Sequence, residues 1–164
     1  MIELSKYKSP SGSVRILAIL WYFVNFFFFN SWVPFPNRFK TSLLRLFGAE
    51  VGKGLVIKPR VRIKAPWNLI LGNYVWIGED VWIDNFALVH IGNHVCISQA
   101  VLILNGNHNF RKPTFDFFSL PIYIGSHTWV TTKCVILSGA KIGDGIMLPV
   151  CSVIKSGLYK PYEN

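Results

Sequence analysis

The chain of 164 residues is poor in acid, with eight Asp and Glu against seventeen Lys and Arg, and its formal net charge is +9. Charge of either sign is scarce: 15% of residues are charged while 51% are hydrophobic, which excludes a disordered chain, because disorder needs low hydrophobicity and dense charge. Cysteine is nearly absent. Cys96, Cys134 and Cys151 are odd in number and widely spaced with no CxxC pair, so neither a disulfide framework nor a zinc knuckle is indicated and a reducing compartment fits. The length is that of about one domain. No small-residue A-x-A site follows the apolar N-terminal run, which argues against a cleaved signal peptide.

The positive charge is lopsided. Residues 1–64 hold eleven Lys and Arg against Glu3 and Glu50, 11 − 2 = +9, and the remaining hundred hold six of each sign and cancel. The basic part coincides with the most apolar stretch, ILAILWYFVNFFFFNSWVPF from Ile16 to Phe35, so a membrane surface is indicated before nucleic acid. Residues 14–36 are long enough to span a bilayer. Asn25 and Asn30, the aromatics between Trp21 and Trp32, and basic residues on both sides favour a helix that packs one side on the protein and sets its aromatic rim among headgroups. A membrane span and a wholly internal packing are the alternatives.

From Val51 onward the chain repeats every six residues. Val51, Ile57, Ile63, then Leu71, Ile77, Ile83, then Ile91, Ile97, Ile103, and after a gap Ile124, Val130, Ile136, Ile142, Leu148 and Ile154 are all Val, Ile or Leu. The residue two before is usually small or apolar (Val61, Val75, Val81, Val95, Val101, Cys134, Ala140), and the one after is often glycine, read here as the corner residue (Gly52, Gly72, Gly78, Gly92, Gly125, Gly143). This is the hexapeptide pattern of a parallel β-helix, with three units to a triangular coil. A helical reading fails because a six-residue step turns an α-helix by about 600° and forms no single stripe. The fold predicted is all-β, a β-helix of about five coils over 51–158, preceded by an N-terminal helical segment and cap over 1–50. Thr41–Gly48 is expected to be a short capping helix, with the Thr41 hydroxyl at its start, Leu43, Leu44 and Phe47 on one side and Gly48 at its end. The cysteines fall at strand positions, as small buried hydrophobes.

The repeat breaks once, between Ile103 and Ile124, where a loop over 105–121 protrudes. Insertions in repeat proteins often build the binding face, and His108 stands at the takeoff of this one. A base with a pKa near 6.5 is suited to removing a proton from an alcohol as it attacks a thioester carbonyl.

The segments LLRLFGAEVGKG (43–54), IKAPWNLILGNYVWIGEDVWIDN (63–85), IGNHVCISQAVLILNGNH (91–108) and PIYIGSHTWV (121–130) resemble the hexapeptide-repeat acyltransferases of the left-handed β-helix superfamily, most closely the colanic acid biosynthesis (WcaF-type) O-acetyltransferases. The resemblance implies a left-handed coil, a homotrimer with sites between subunits, and acetyl-CoA as co-substrate with no metal. It further implies direct acetyl transfer to a sugar or lipid-linked glycan hydroxyl in exopolysaccharide or surface glycan biosynthesis, in the cytoplasm or at the inner face of the cytoplasmic membrane. It places the catalytic base at His108, the substrate-orienting asparagine at Asn85 and the coenzyme side at Trp129, Thr132, Val150, Lys155 and Ser156. In the last coil this chain departs from the family pattern: Val150 replaces a small alanine, and the lysine stands at Lys155 instead of at the place of Ser156. Two alternatives remain: a non-catalytic trimeric scaffold, and a γ-type carbonic anhydrase with a metal on His90, His94, His127 and His108, although that family's ligand spacing is missing.

Overall fold

The structure is a computed structural model that describes residues 2–8 and 16–159; Arg15 and the residue before it in the 14–36 segment, like Lys160, lie outside the described residues. Strands of two or three residues wind around three faces of a parallel β-helix. Face one stacks Glu50–Val51, Leu69–Leu71, Val89–Ile91, Ile122–Ile124, Ala140–Ile142 and Gly157–Tyr159. Face two stacks Val56–Ile57, Trp76–Ile77, Cys96–Ile97, Trp129–Val130 and Met147–Leu148, and face three stacks Arg62–Ile63, Trp82–Asp84, Leu102–Leu104, Val135–Leu137 and Val153–Ile154.

The fifteen repeat aliphatics fall in three columns. Val51, Leu71, Ile91, Ile124 and Ile142 are in register on face one, Ile57, Ile77, Ile97, Val130 and Leu148 on face two, and Ile63, Ile83, Ile103, Ile136 and Ile154 on face three. All except Val51 are buried, as are the residues two before them apart from Ile146 and Ser152 in the last coil, which are partly buried. Strand alternation therefore turns both sets into the prism. The coils number five with one side of a sixth, where about five were expected, because Tyr159 lies opposite Ile142 and prolongs the first column. An aromatic arriving five residues after Ile154 breaks both the residue type and the step of the repeat.

The glycines that follow the repeat aliphatics serve a different purpose from the one expected. None of Gly52, Gly72, Gly78, Gly92 and Gly125 has a positive φ; instead a Cβ on Gly52 would meet the Gly72 backbone at 2.6 Å, and one on Gly72 would meet Gly92 at 2.6 Å. They let successive coils approach. The left-handed corners are taken mostly by side-chain-bearing residues: Tyr74, His94 and His127, with Gly54 and Gly145 in the end coils, on the edge between faces one and two, and Arg60, Asp80, Ala100, Lys133 and Cys151 on the edge between faces two and three. Tyr74, His94 and His127 stack ring on ring with centroids 5.0 Å apart, beside a ladder in which the Asn73, Asn93, Ser126 and Asp144 side chains accept backbone N–H bonds from the preceding coil.

The third edge, between faces three and one, is irregular. The first two coils each carry extra residues there (64–68 and 84–88), and the third opens into the long insertion. Asparagines tie these longer corners together. Asn85 is wholly buried, accepting from the Ala65 N–H at 3.0 Å and donating to the Ala65 and Asn68 carbonyls at 2.6 and 3.1 Å; one coil further on, Asn105 brackets Ala87 in the same way.

The open lower edge of the first coil would leave backbone groups unpaired, and the N-terminal segment closes it. Helix α1 (Ile16–Val24) runs into a π-helical turn (Asn25–Phe29), and helix α2 (Asn37–Leu46) follows. On face three the Trp21 indole donates to the Ile63 carbonyl at 2.7 Å and Asn25 accepts from the Ile63 N–H. On face two the buried Lys40 ammonium donates to the Ile57 and Lys58 carbonyls, and Asn37 accepts from the Ile57 N–H. On face one the Arg45 guanidinium donates to the Val51 carbonyl at 2.6 Å. Helix α2 therefore begins four residues before Thr41, after Pro36 and without a side-chain cap, because Asn37 is committed to the sheet edge. Its end is as expected: Leu44 and Phe47 are buried and Gly48 takes φ +92°. Among the described residues, no helix is long and apolar enough to cross a membrane.

Candidate active site

The insertion is a hairpin with a ladder of its own: Gly106–His108 pairs antiparallel with Phe117–Ser119. At its base Phe117 packs edge-on against Phe86 of the coil below, and a Cβ on Gly106 would meet the Phe86 ring at 2.7 Å, so the approach requires glycine. At its tip, Lys112 pairs with Asp116 at 3.0 Å. Hydrogen bonds from Thr114 and Lys112 hold the Asp116 carboxyl below the usual carboxylate range.

His108 is partly buried inside an aromatic box. Its ring stacks on Phe115 with centroids 4.2 Å apart and planes 6° from parallel, while Phe117 and Tyr7 approach edge-on at 5.3 and 5.4 Å. Tyr7 arrives from the N-terminal segment, which is tied to the hairpin by the Glu3 N–H donating to the Pro113 carbonyl. Nδ1 lies 2.9 Å from the Phe115 carbonyl oxygen. A carbonyl only accepts, so Nδ1 carries the hydrogen, and in the neutral ring the lone pair is on Nε2. Phe115 aims its carbonyl inward from a left-handed conformation, φ +50°. Residue type alone gave no sign of Phe115, Phe117 or Tyr7 as partners of His108; the aromatic density of NFRKPTFDFFSLP was the available signal.

Of the remaining expected site residues, four occupy two edges and Trp129 a face. Ser156 lies on the hairpin's edge, packed where a Cβ on Gly139 would meet its hydroxyl at 2.7 Å, and Lys155 precedes it, exposed and in no ion pair among the described residues. Thr132 and Val150 lie on the edge between faces two and three, with the Thr132 hydroxyl donating to the Gln99 carbonyl at 2.9 Å. Trp129 stands outward on face two, 49% exposed, its indole donating to Ser98 at 2.9 Å. One face of about six residues, roughly 15–20 Å at strand spacing, separates these edges. A single protomer therefore does not bring His108 and Trp129 together. Val150 is exposed, so its branched side chain stands on the surface and leaves the coil interior undisturbed. Asn85 spends both amide hydrogens and one bond to its carbonyl oxygen on the coil below, and so braces that coil. His94 and His127 stack on each other on the edge between faces one and two, across face one from the hairpin, and among the described residues no three His, Cys, Asp or Glu side chains gather to hold a metal ion.

A hexapeptide-repeat β-helix whose single long insertion presents a histidine is the architecture of the hexapeptide-repeat acyltransferases. The chain is 38% identical over 161 residues to the colanic acid biosynthesis acetyltransferase WcaF of Escherichia coli (strain K12), covering 95% of this chain and 88% of that protein. It is 28% identical over 130 residues to the galactoside O-acetyltransferase of the same organism, covering 77% of this chain and 64% of the relative. No family model matches it. Among solved structures, a maltose O-acetyltransferase from Clostridium difficile 630 superposes with TM-score 0.81 at 18% identity over 97% of this chain and 89% of its own. The Vibrio cholerae hexapeptide-repeat acetyltransferase VCA0836, in complex with acetyl-coenzyme A, does so with TM-score 0.78 at 19% identity over 95% and 88%. The chain belongs to the WcaF-type acetyltransferases of the hexapeptide-repeat superfamily.

Proposed function

We propose that the protein transfers an acetyl group from acetyl-CoA to a sugar hydroxyl in the biosynthesis of an exopolysaccharide or surface glycan, with His108 as general base. The observation that carries this reading is the Nδ1–H bond to the Phe115 carbonyl, which leaves Nε2 as the basic nitrogen and fixes the ring plane. Nε2 takes the hydroxyl proton as the oxygen attacks the thioester carbonyl and returns it to the departing thiolate, with no acyl-enzyme. Acetyl-CoA supplies the activated acyl group. Trp129, Thr132 and Val150 line the coenzyme side of one protomer, and Lys155 is free to face a phosphate.

Because His108, with Lys155 and Ser156, lies on a different edge from Thr132 and Val150 and off the face that carries Trp129, the reading requires neighbouring protomers, and a homotrimer with sites between subunits supplies them. Face three, which separates the two edges, supports this: the outward residues of its upper coils are Leu102, Leu104, Val135, Leu137 and Val153, an apolar surface suited to subunit burial. On this reading the protein works in the cytoplasm, with residues 14–36 at the inner face of the membrane. Mass analysis of acetyl transfer to free, nucleotide-linked and lipid-linked sugars tests it, with calorimetry of acetyl-CoA binding. Failure to bind acetyl-CoA at millimolar concentration would overturn it in favour of a scaffold.

A further inference from the structure

The N-terminal segment closes the β-helix with the inner sides of its helices and leaves the outer side bare. Trp21 and Phe29 are buried, whereas Ile16, Ile19, Leu20, Phe23, Phe26 and Phe27 are 48–76% exposed. Their offsets of 0, 3, 4, 7, 10 and 11 put them on one helical face, directed away from the coil that Trp21 and Asn25 bind. An apolar aromatic patch of this extent marks a surface that is covered by something.

The first coil directly above this patch is a cationic collar. Lys53, Lys58, Arg60, Arg62 and Lys64 all point outward from it. Four of them lie over aromatic rings: Lys58 over Trp76, Arg60 over Trp32, Arg62 over Trp82 and Lys64 over Phe86 at 3.6 to 4.9 Å. Stacking holds these cations at a fixed height around the prism. The second coil reverses the sign, with Glu79, Asp80 and Asp84 and no Lys or Arg between residues 69 and 88; Asp80 and Asp84 pair with Arg60 and Lys64 at 2.6 and 2.9 Å, so among the described residues the cations in no ion pair are Lys53, Lys58 and Arg62 of the collar, with Arg38 of α2 beside them. A basic cleft of about 370 Å³ opens between α2 and the first coil, lined by Arg38, Arg45, Lys53, Thr41 and Ser42, with room for a phosphate group. Apolar rings at the base, cations one layer above and anions above those reproduce the order of an anionic leaflet met from the water side: acyl chains, phosphates, bulk solvent.

We infer that this base is the seat of the protein on an anionic bilayer, with the exposed face of α1 and its π-turn in the acyl–headgroup boundary, the first-coil collar on the lipid phosphates and the β-helix axis upright. The inference rests on the membrane-side placement proposed above and fixes which surface makes the contact and in what orientation; it does not depend on the acetyltransferase reading. The full chain is sedimented with vesicles of phosphatidylcholine alone and of phosphatidylcholine mixed with phosphatidylglycerol. The expected result is strong partition to the anionic vesicles, reduced roughly tenfold or more both by R38E/K53E/R62E and by high salt, and lost in F23S/F27S. The variants should keep the wild-type melting temperature and acetyl-CoA affinity. Equal partition to both vesicle types, or none, overturns the seat. Unchanged partition of F23S/F27S together with a smaller particle in light scattering also overturns it and assigns the aromatic face to a second copy of the chain. Vesicle binding without acetyl-CoA binding would leave the seat standing and defeat the acetyltransferase reading.

Discussion

His108 is held by a residue that its own sequence neighbourhood disguises. The carbonyl that receives its Nδ1–H belongs to Phe115, seven residues away in a left-handed conformation, and a phenylalanine at positive φ has no signature in residue type. The histidine itself was legible because it stands where a strict period stops. Its orientation was not, because that depends on one backbone torsion. His108→Ala should lower the rate of acetyl transfer by roughly 10²–10⁴-fold, with the oligomer unchanged in light scattering; a wild-type rate would remove the base assignment. Asn85 shows the reverse case, a residue carried over by resemblance whose bracing of the preceding coil had no sign in residue type. Asn85→Ala leaves the Ala65 N–H without its partner, and takes one donor from the Ala65 carbonyl, which keeps the Asn68 N–H, and one from the Asn68 carbonyl, so chemical denaturation should show a loss of about 1–3 kcal/mol while calorimetry shows unaltered acetyl-CoA affinity. A selective loss of activity at full stability would restore Asn85 to the substrate.

At the scale of elements, the strands could be read from the sequence nearly residue for residue, because each inward position admits only Val, Ile, Leu or a small residue. The capping helices could be read only in part. In the sequence Asn25 interrupts an apolar run and Lys40 is one of the charges that follow it; in the structure both are edge caps, with Trp21 and Asn37, each satisfying a backbone group of the first coil. Long-range partners of this kind have no period. Trp21→Phe removes the donor to the Ile63 carbonyl inside the core and should cost about 1–3 kcal/mol in denaturant unfolding, against no change if the indole nitrogen is dispensable. Burial pushes the Lys40 ammonium below its ordinary pKa of 10.5. In the interval between that lowered value and 10.5 the unfolded chain binds more protons than the folded one, so stability gains a positive slope as pH rises through it. Lys40→Met should abolish this slope in melts across the alkaline range; an unchanged slope would mean that the ammonium is not desolvated.

The whole molecule is a prism with unlike ends and unlike edges, and the two asymmetries meet at the hairpin. The departures from the six-residue step, after Ile63, Ile83, Ile103 and Ile154, all stack on the edge between faces three and one, so the slips that complicated the repeat also mark the edge on which the histidine is built. Light scattering should give three times the 18.7 kDa chain mass, and Leu102→Asp with Val135→Asp on face three should break the particle to monomers and abolish transfer together. Height along the axis adds a consequence for the acceptor. His108 leaves the third coil, two coil spacings above the cationic collar, about 10 Å at 4.8 Å per coil. With the base seated on a leaflet and the collar at the phosphates, the basic nitrogen is within reach of a hydroxyl on a sugar near the lipid end of a chain, and three seats around one axis hold it there. In the presence of phosphatidylglycerol vesicles, a saccharide carried on a lipid phosphate should therefore show a KM roughly tenfold or more below that of the same saccharide free in solution. R38E/K53E/R62E should erase the difference by raising the first KM without altering kcat on the free saccharide. Equal KM values for both acceptors with wild-type protein on these vesicles would separate attachment from acceptor choice and leave the seat without a part in catalysis.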